Sequence, residues 1–150
     1  MSQKSFIPSP NGGLIYGYVE GKNTRGIVIE DGPVVLQKGF RRTFGQEHIW
    51  ARHSNYLAGK GYETIDDVAN FVADILQHNT PVAHEGLAAW EESKLFAIRG
   101  AVGFAVLKQI VLRDGQTAYS VTTAYQRPRA GMSPMTRIVH REGEAPQGDR

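Results

Sequence analysis

The feature that most constrains this chain is a change of period near residue 94. From there KLFAIRG (94–100), GFAVLKQIVLR (103–113) and TAYSVTTAY (117–125) are rich in β-branched and aromatic residues and read as three strands. Asp114 and Gly115 stand between the last two, the dipeptide expected at a tight antiparallel turn. Upstream, apolar residues recur at helical spacing instead. The pattern therefore predicts an α+β fold in which two helices pack on one face of a C-terminal antiparallel β-meander. A last short strand is expected at MTRIVH (135–140).

The first helix is predicted from Thr43 or Gly45 to Ala58, with Ile49, Trp50, His53, Tyr56 and Leu57 on one stripe and Gly59 and Gly61 ending it. The second begins at Thr64, which stands at capping-box separation from Asp67. Its apolar face is Ile65, Val68, Ala69, Val72, Ile75 and Leu76, and it is expected to stop near Asn79, Thr80 and Pro81. Before both helices, LIYGYVE (14–20) and RGIVIE (25–30) flank a four-residue loop and predict an N-terminal β-hairpin. Pro33 then opens a short extended VVLQ segment. Residues 1–13 and 142–150 are polar and rich in Pro and Gly, so they are expected to be flexible segments around a single domain of residues 14–141.

At 150 residues and 41% hydrophobic composition, the chain can bury one continuous core. Seventeen basic against fifteen acidic residues leave a formal charge of only +2, which excludes a global positive field. The basic residues are nevertheless grouped: Lys38, Arg41, Arg42 and Arg52 in one stretch, Arg127, Arg129, Arg137 and Arg141 in another. They are expected to line one surface, either as a binding face or as a solubilising one. The absence of cysteine excludes disulfides and thiolate chemistry and leaves the compartment open. No apolar run approaches the roughly 20 residues that span a bilayer, and the start lacks the apolar core of a signal peptide, so a soluble protein is expected.

Two stretches carry residues suited to chemistry. In RRTFGQEHIWARH, helical geometry puts His48 and Arg52 on one face, whereas His48 and His53 diverge by roughly 140°. That spacing argues against a helical metal pair, and no carboxylate cluster accompanies it, so a metal-free centre is expected. An imidazole can take or give a proton near neutral pH, and guanidinium groups bind phosphate oxygens. His53 also fits a hydrogen-bonded core residue, and His48 with Arg52 an exposed polar pair. In YSVTTAYQRPR, strand alternation places Tyr119, Val121, Thr123 and Tyr125 on one face and Ser120, Thr122 and Ala124 on the other. Thr122 is expected on the open face, with Tyr125 reaching round the strand end beside Arg127. Plain β-propensity accounts for these residues equally well. His78, His84 and His140 read as solvated.

The order of an early GPVVL segment, a GQEHIWARH helix, a second helix and a strand ending in VTTAY resembles the barnase, EndoU, colicin and RelE-like nuclease superfamily, in particular its phage-associated and polymorphic-toxin branches. The likeness covers residues 14–140 in organisation. It implies a metal-independent, cofactor-free endoribonuclease in which the RNA 2′-hydroxyl attacks its own phosphorus and leaves a 2′,3′-cyclic phosphate. On that resemblance His48 or His53 is the proton carrier. Thr122 or Thr123 and Tyr125 orient it or bind phosphate, and Arg42, Arg52 or Arg127 offsets charge on the phosphorane. The implied partners are RNA, including tRNA, and an acidic immunity protein or antitoxin, with no membrane. A degenerate copy would bind RNA or protein without cleaving. A transferase using the same cleft for a nucleotide such as NAD is a further alternative.

Overall fold

A computed structural model describes residues 5–24, 27–84, 95–125 and 134–141. The chain is mixed α+β. Its strands are β1 (Gly17–Val19), β2 (Lys22–Thr24), β3 (Ile27–Ile29), β4 (Gly32–Val35), β5 (Pro81–His84), β6 (Leu95–Arg99), β7 (Phe104–Val111), β8 (Thr117–Tyr125) and β9 (Thr136–Val139). Between β4 and β5 lie helix α1 (Gly45–Gly59), a 3₁₀ turn (Ile65–Asp67) and helix α2 (Val68–Ile75).

Seven strands close into a barrel in the order β1-β4-β8-β7-β6-β5-β9, with β9 pairing back onto β1. The expectation of an open helix-backed meander is corrected here. β6, β7 and β8 are indeed successive antiparallel neighbours, but β5 and β9 extend them on one side and β4 and β1 on the other. Closure leaves the meander no free edge, which removes the row of unpaired backbone groups an open sheet would expose. The early hairpin is also redrawn. β2 pairs with β3, while β1 pairs antiparallel with β4 across that inserted ribbon. The join between halves is the parallel pair β4–β8, which sets Val34 opposite Tyr119. Tyr119 is fully buried in the main core, and its hydroxyl donates to the Glu30 carbonyl at 2.5 Å, tying that core to the approach to β4.

The turn at Asp114 and Gly115 forms as its sequence requires: Gly115 has φ +88, and the Gln116 N–H donates to the Asp114 carboxylate at 2.9 Å. In α1 the expected stripe is realised, with Ile49 and Leu57 fully buried and Trp50 and Tyr56 packed against the same core. Its first backbone donors are satisfied by carbonyls of the preceding strand exit, Gln46 N–H to Gln37 at 2.9 Å and Glu47 N–H to Lys38 at 3.0 Å. No side chain caps it.

The second helical segment carries the Thr64 and Asp67 capping box, and Asp67 accepts from the Glu63 and Thr64 N–H groups. These bonds, from Glu63 first, hold its carboxyl below the usual aspartate range. The helix ends earlier than expected, at Ile75, and a turn with Asn79 at φ +74 leads to β5. Burial is not confined to one stripe either: Val68, Ala69, Phe71, Val72, Ala73 and Ile75 are all buried. The helix is pressed between α1 and the barrel, and Gly100 lies so close that a Cβ there would stand 2.7 Å from the Ile75 carbonyl oxygen.

Residues 5–13, within the segment expected to be flexible, run beside the exit of β4. Ile7 N–H donates to Leu36 at 2.7 Å, Lys38 N–H to Ser5 at 2.8 Å, and the Tyr16 hydroxyl sits 2.9 Å from the Ile7 carbonyl. No helix among the described residues is long and apolar enough to cross a membrane.

Candidate active site

The helix and strand singled out in the sequence meet: α1 packs against β8. A buried bond fastens the two at one end. The Ser120 hydroxyl donates to the Gln37 side-chain oxygen at 2.8 Å, and the Gln37 carbonyl in turn receives the Gln46 N–H of α1. Ser120 thus positions the strand against the helix start. It had no mark in the sequence, because its partner is remote in the chain.

The loop Lys38–Phe44 turns the chain into α1. Gly39 has φ +70 and Gly45 φ +87, and a Cβ at either would fall 1.9 Å from the Phe44 carbonyl oxygen or 2.5 Å from that of Gln37. Only glycine fits both places. The loop delivers the Arg41 carbonyl to His48, whose Nδ1 lies 3.0 Å away. A carbonyl has no proton to give, so Nδ1 carries the hydrogen in the neutral ring and the lone pair resides on Nε2. That is the orientation a proton acceptor needs.

His53 interrupts α1 with φ −129 and ψ 15, a break in helical geometry. The roughly 140° that a regular helix imposes between His48 and His53 therefore does not apply. His53 is half-buried, and burial chiefly, then the positive charge of Arg52 and His48, holds its ring below the ordinary histidine value. The neutral ring is thus favoured in the folded chain. The sign for stability follows. As pH falls below the ordinary value of 6.5, the unfolded chain takes up a proton at this position before the folded chain does, so stability is full above that pH and declines below it. Urea unfolding at pH 7.5 and 5.5 should show a smaller loss for His53→Gln than for the wild-type chain, and an equal loss would remove this account.

On β8 strict alternation fails. Val106 pairs with Thr123 and Leu107 with Val121, so Thr122 is an extra residue in a β-bulge. Tyr119, Val121 and Ala124 belong to the main core, leaving Thr122 and Thr123 together between them, each partly exposed. The expected opposition of their faces is corrected accordingly. The Thr122 hydroxyl donates to the Val106 carbonyl at 3.1 Å and secures the bulge. Tyr125 ends β8 opposite Phe104. Its side chain, and Arg127 altogether, lie outside the described residues.

Arg137 pairs with Glu20 at 2.9 Å and with the Asn79 side-chain oxygen at 2.6 Å; Arg141 pairs with Asp31 and lies 4.1 Å from the centre of the Tyr18 ring. Both are engaged around β1 and β9, while Arg127 and Arg129 of the same group lie outside the described residues. Lys38, Arg41, Arg42 and Arg52 are exposed and have no acidic partner among the described residues. Positive charge is therefore available at the loop and α1.

Two histidines read as solvated, His78 and His140, are exposed as expected and also bond to each other. His140 Nε2 donates to the Leu76 carbonyl at 2.7 Å, and the His140 N–H donates to His78 Nδ1 at 3.0 Å, clasping the exit of α2 to the end of β9. The His84 side chain lies outside the described residues. Among the described residues no group of three His, Cys, Asp or Glu is arranged to hold a metal ion. Comparison of the chain with family models, with curated proteins and with solved structures gives no match.

Proposed function

We propose that the chain is a toxin-like endoribonuclease that cleaves RNA by 2′-hydroxyl transesterification without a metal. The observation that carries this reading is the fixed His48 ring, with Nδ1–H bound to the Arg41 carbonyl and Nε2 left as the acceptor, in a stretch whose exposed cations have no acidic partner among the described residues. His48 Nε2 takes the 2′-hydroxyl proton as O2′ attacks phosphorus; the P–O5′ bond breaks to leave the cyclic phosphate, and the departing 5′-oxygen takes up a proton from water. Arg42 and Arg52 stabilise the added charge on the phosphorane, the electrostatic contribution that is usually the largest in such reactions. His53 remains neutral and supports the bent helix. Thr123 and Tyr125 stay as phosphate contacts. In the cell such an enzyme acts in the cytoplasm, on tRNA or another RNA, after delivery from a neighbouring cell or phage, and its producer holds it in check with an acidic immunity protein or antitoxin.

The test is incubation of the chain with total RNA in chelator, followed by mapping of the cut ends. Cyclic phosphate termini are expected; intact RNA at high enzyme concentration sinks the assignment. One observation favours a second reading, a non-cleaving binding module. The Thr122 hydroxyl hydrogen is committed to the Val106 carbonyl, so one of the residues assigned to chemistry serves the bulge instead. That module would bind RNA in the same assay and leave it whole.

A further inference from the structure

Four large hydrophobic side chains are exposed among the described residues, and three are valines: Val28, Val102 and Val111. The fourth is Phe40, half exposed at 50% in the loop before α1. Its exposure is not that of a loose tip. Phe40 and Phe44 exchange backbone bonds at 3.0 and 3.3 Å, Thr43 N–H adds a third to the Phe40 carbonyl at 3.2 Å, and the glycines at 39 and 45 lock both flanks. The Phe40 ring meets Phe44 edge to face, with centroids 6.0 Å apart and planes at 71°. A single exposed ring is common on protein surfaces, and what distinguishes this one is its fixed setting and its neighbours.

What surrounds the ring specifies the cover. Lys38, Arg41 and Arg42 are exposed in the same seven-residue loop, which contains no acid, and none has an acidic partner among the described residues. A fixed aromatic surface framed by exposed cations is the pairing that holds single-stranded nucleic acid, with base on ring and phosphates on the charges. The loop is also joined directly to the proposed base through the Arg41 carbonyl and His48.

We propose that Phe40 is a nucleobase platform: one base of a single-stranded RNA stacks on its ring while Lys38, Arg41 and Arg42 hold the flanking phosphates. The identity of the ligand as RNA rests on the ribonuclease reading, and the platform then predicts that single strands bind better than duplex. A base stacked in a helix has no free face to offer the ring.

The test is fluorescence anisotropy of the intact chain with a labelled 2′-O-methyl oligoribonucleotide, in which the attacking hydroxyl is blocked and cleavage cannot occur. Phe40→Ala is expected to weaken binding about tenfold, Phe40→Trp to restore it, and Phe40→Leu, apolar without an aromatic face, to remain weak. Scanning one abasic site along the oligonucleotide should reveal a position where the loss no longer adds to that of Phe40→Ala. Wild-type affinity in Phe40→Ala, additive losses at every position, or no binding at all would each overturn the platform; the last outcome points to a protein as the occupant of the loop. Cleavage of unmodified RNA is measured in parallel. Phe40-dependent binding without cleavage rejects the enzyme and keeps the platform, whereas cleavage with Phe40-independent binding rejects the platform alone.

Discussion

Replacing His48 with alanine is expected to slow RNA cleavage by about 10²–10⁴-fold, the usual contribution of a positioned general base, while leaving the folded chain intact. The ring is only partly buried, and among the described residues its side-chain bond is to the Arg41 carbonyl at 3.0 Å, so little of the core depends on it. A second substitution separates chemistry from positioning. In His48→Asn the side-chain amide can still donate to the Arg41 carbonyl, but it offers no nitrogen able to take a proton. Alanine and asparagine should therefore be equally slow in kcat. Recovery of activity in the asparagine variant would mean that His48 merely anchors the loop, and the proton would have to pass elsewhere.

Phe71→Ala is expected to cost about 3–5 kcal/mol of folding stability, the range for truncating a fully buried aromatic side chain to alanine. Phe71 is wholly buried in α2 and meets two rings from outside that helix, Tyr56 at 6.3 Å and Tyr62 at 5.2 Å between centroids. Tyr62 is itself held by its hydroxyl, which donates to the Asp74 carboxylate at 2.6 Å, so the surroundings cannot collapse freely into the space left behind. Urea unfolding measures the loss; a change below about 1 kcal/mol would show that the site relaxes fully. Such a loss would consume much of the 5–15 kcal/mol that typically separates folded from unfolded domains.

The parts of the fold visible in the sequence are those governed by neighbours in the chain. The stripe of Ile49, Trp50, Tyr56 and Leu57, the Thr64 and Asp67 cap and the Asp114–Gly115 turn depend on local spacing and appear where expected. The barrel does not, because Val34 and Tyr119 carry no mark of their parallel pairing and β5 lies in a stretch without clear period. Alternation along β8 misplaced Thr123 for a different reason. A bulge inserts one residue, and every side chain after it changes face. At the site, the grouping of His48, Arg52 and His53 was legible as composition. The break at His53, the commitment of the Thr122 hydroxyl and the Ser120–Gln37 bond arise from tertiary packing.

The parallel pair between β4 and β8 also sets a timetable. While the chain is being synthesised, β4 and α1 emerge long before β8, and β9, which shuts the ring onto β1, comes later still. Contacts so distant in sequence form late, after the cost of closing a long loop has been met. On the ribonuclease reading, RNA around the ribosome is thus spared by the growing chain until β8 and β9 have emerged and the ring can shut. An immunity partner has that whole interval in which to be waiting.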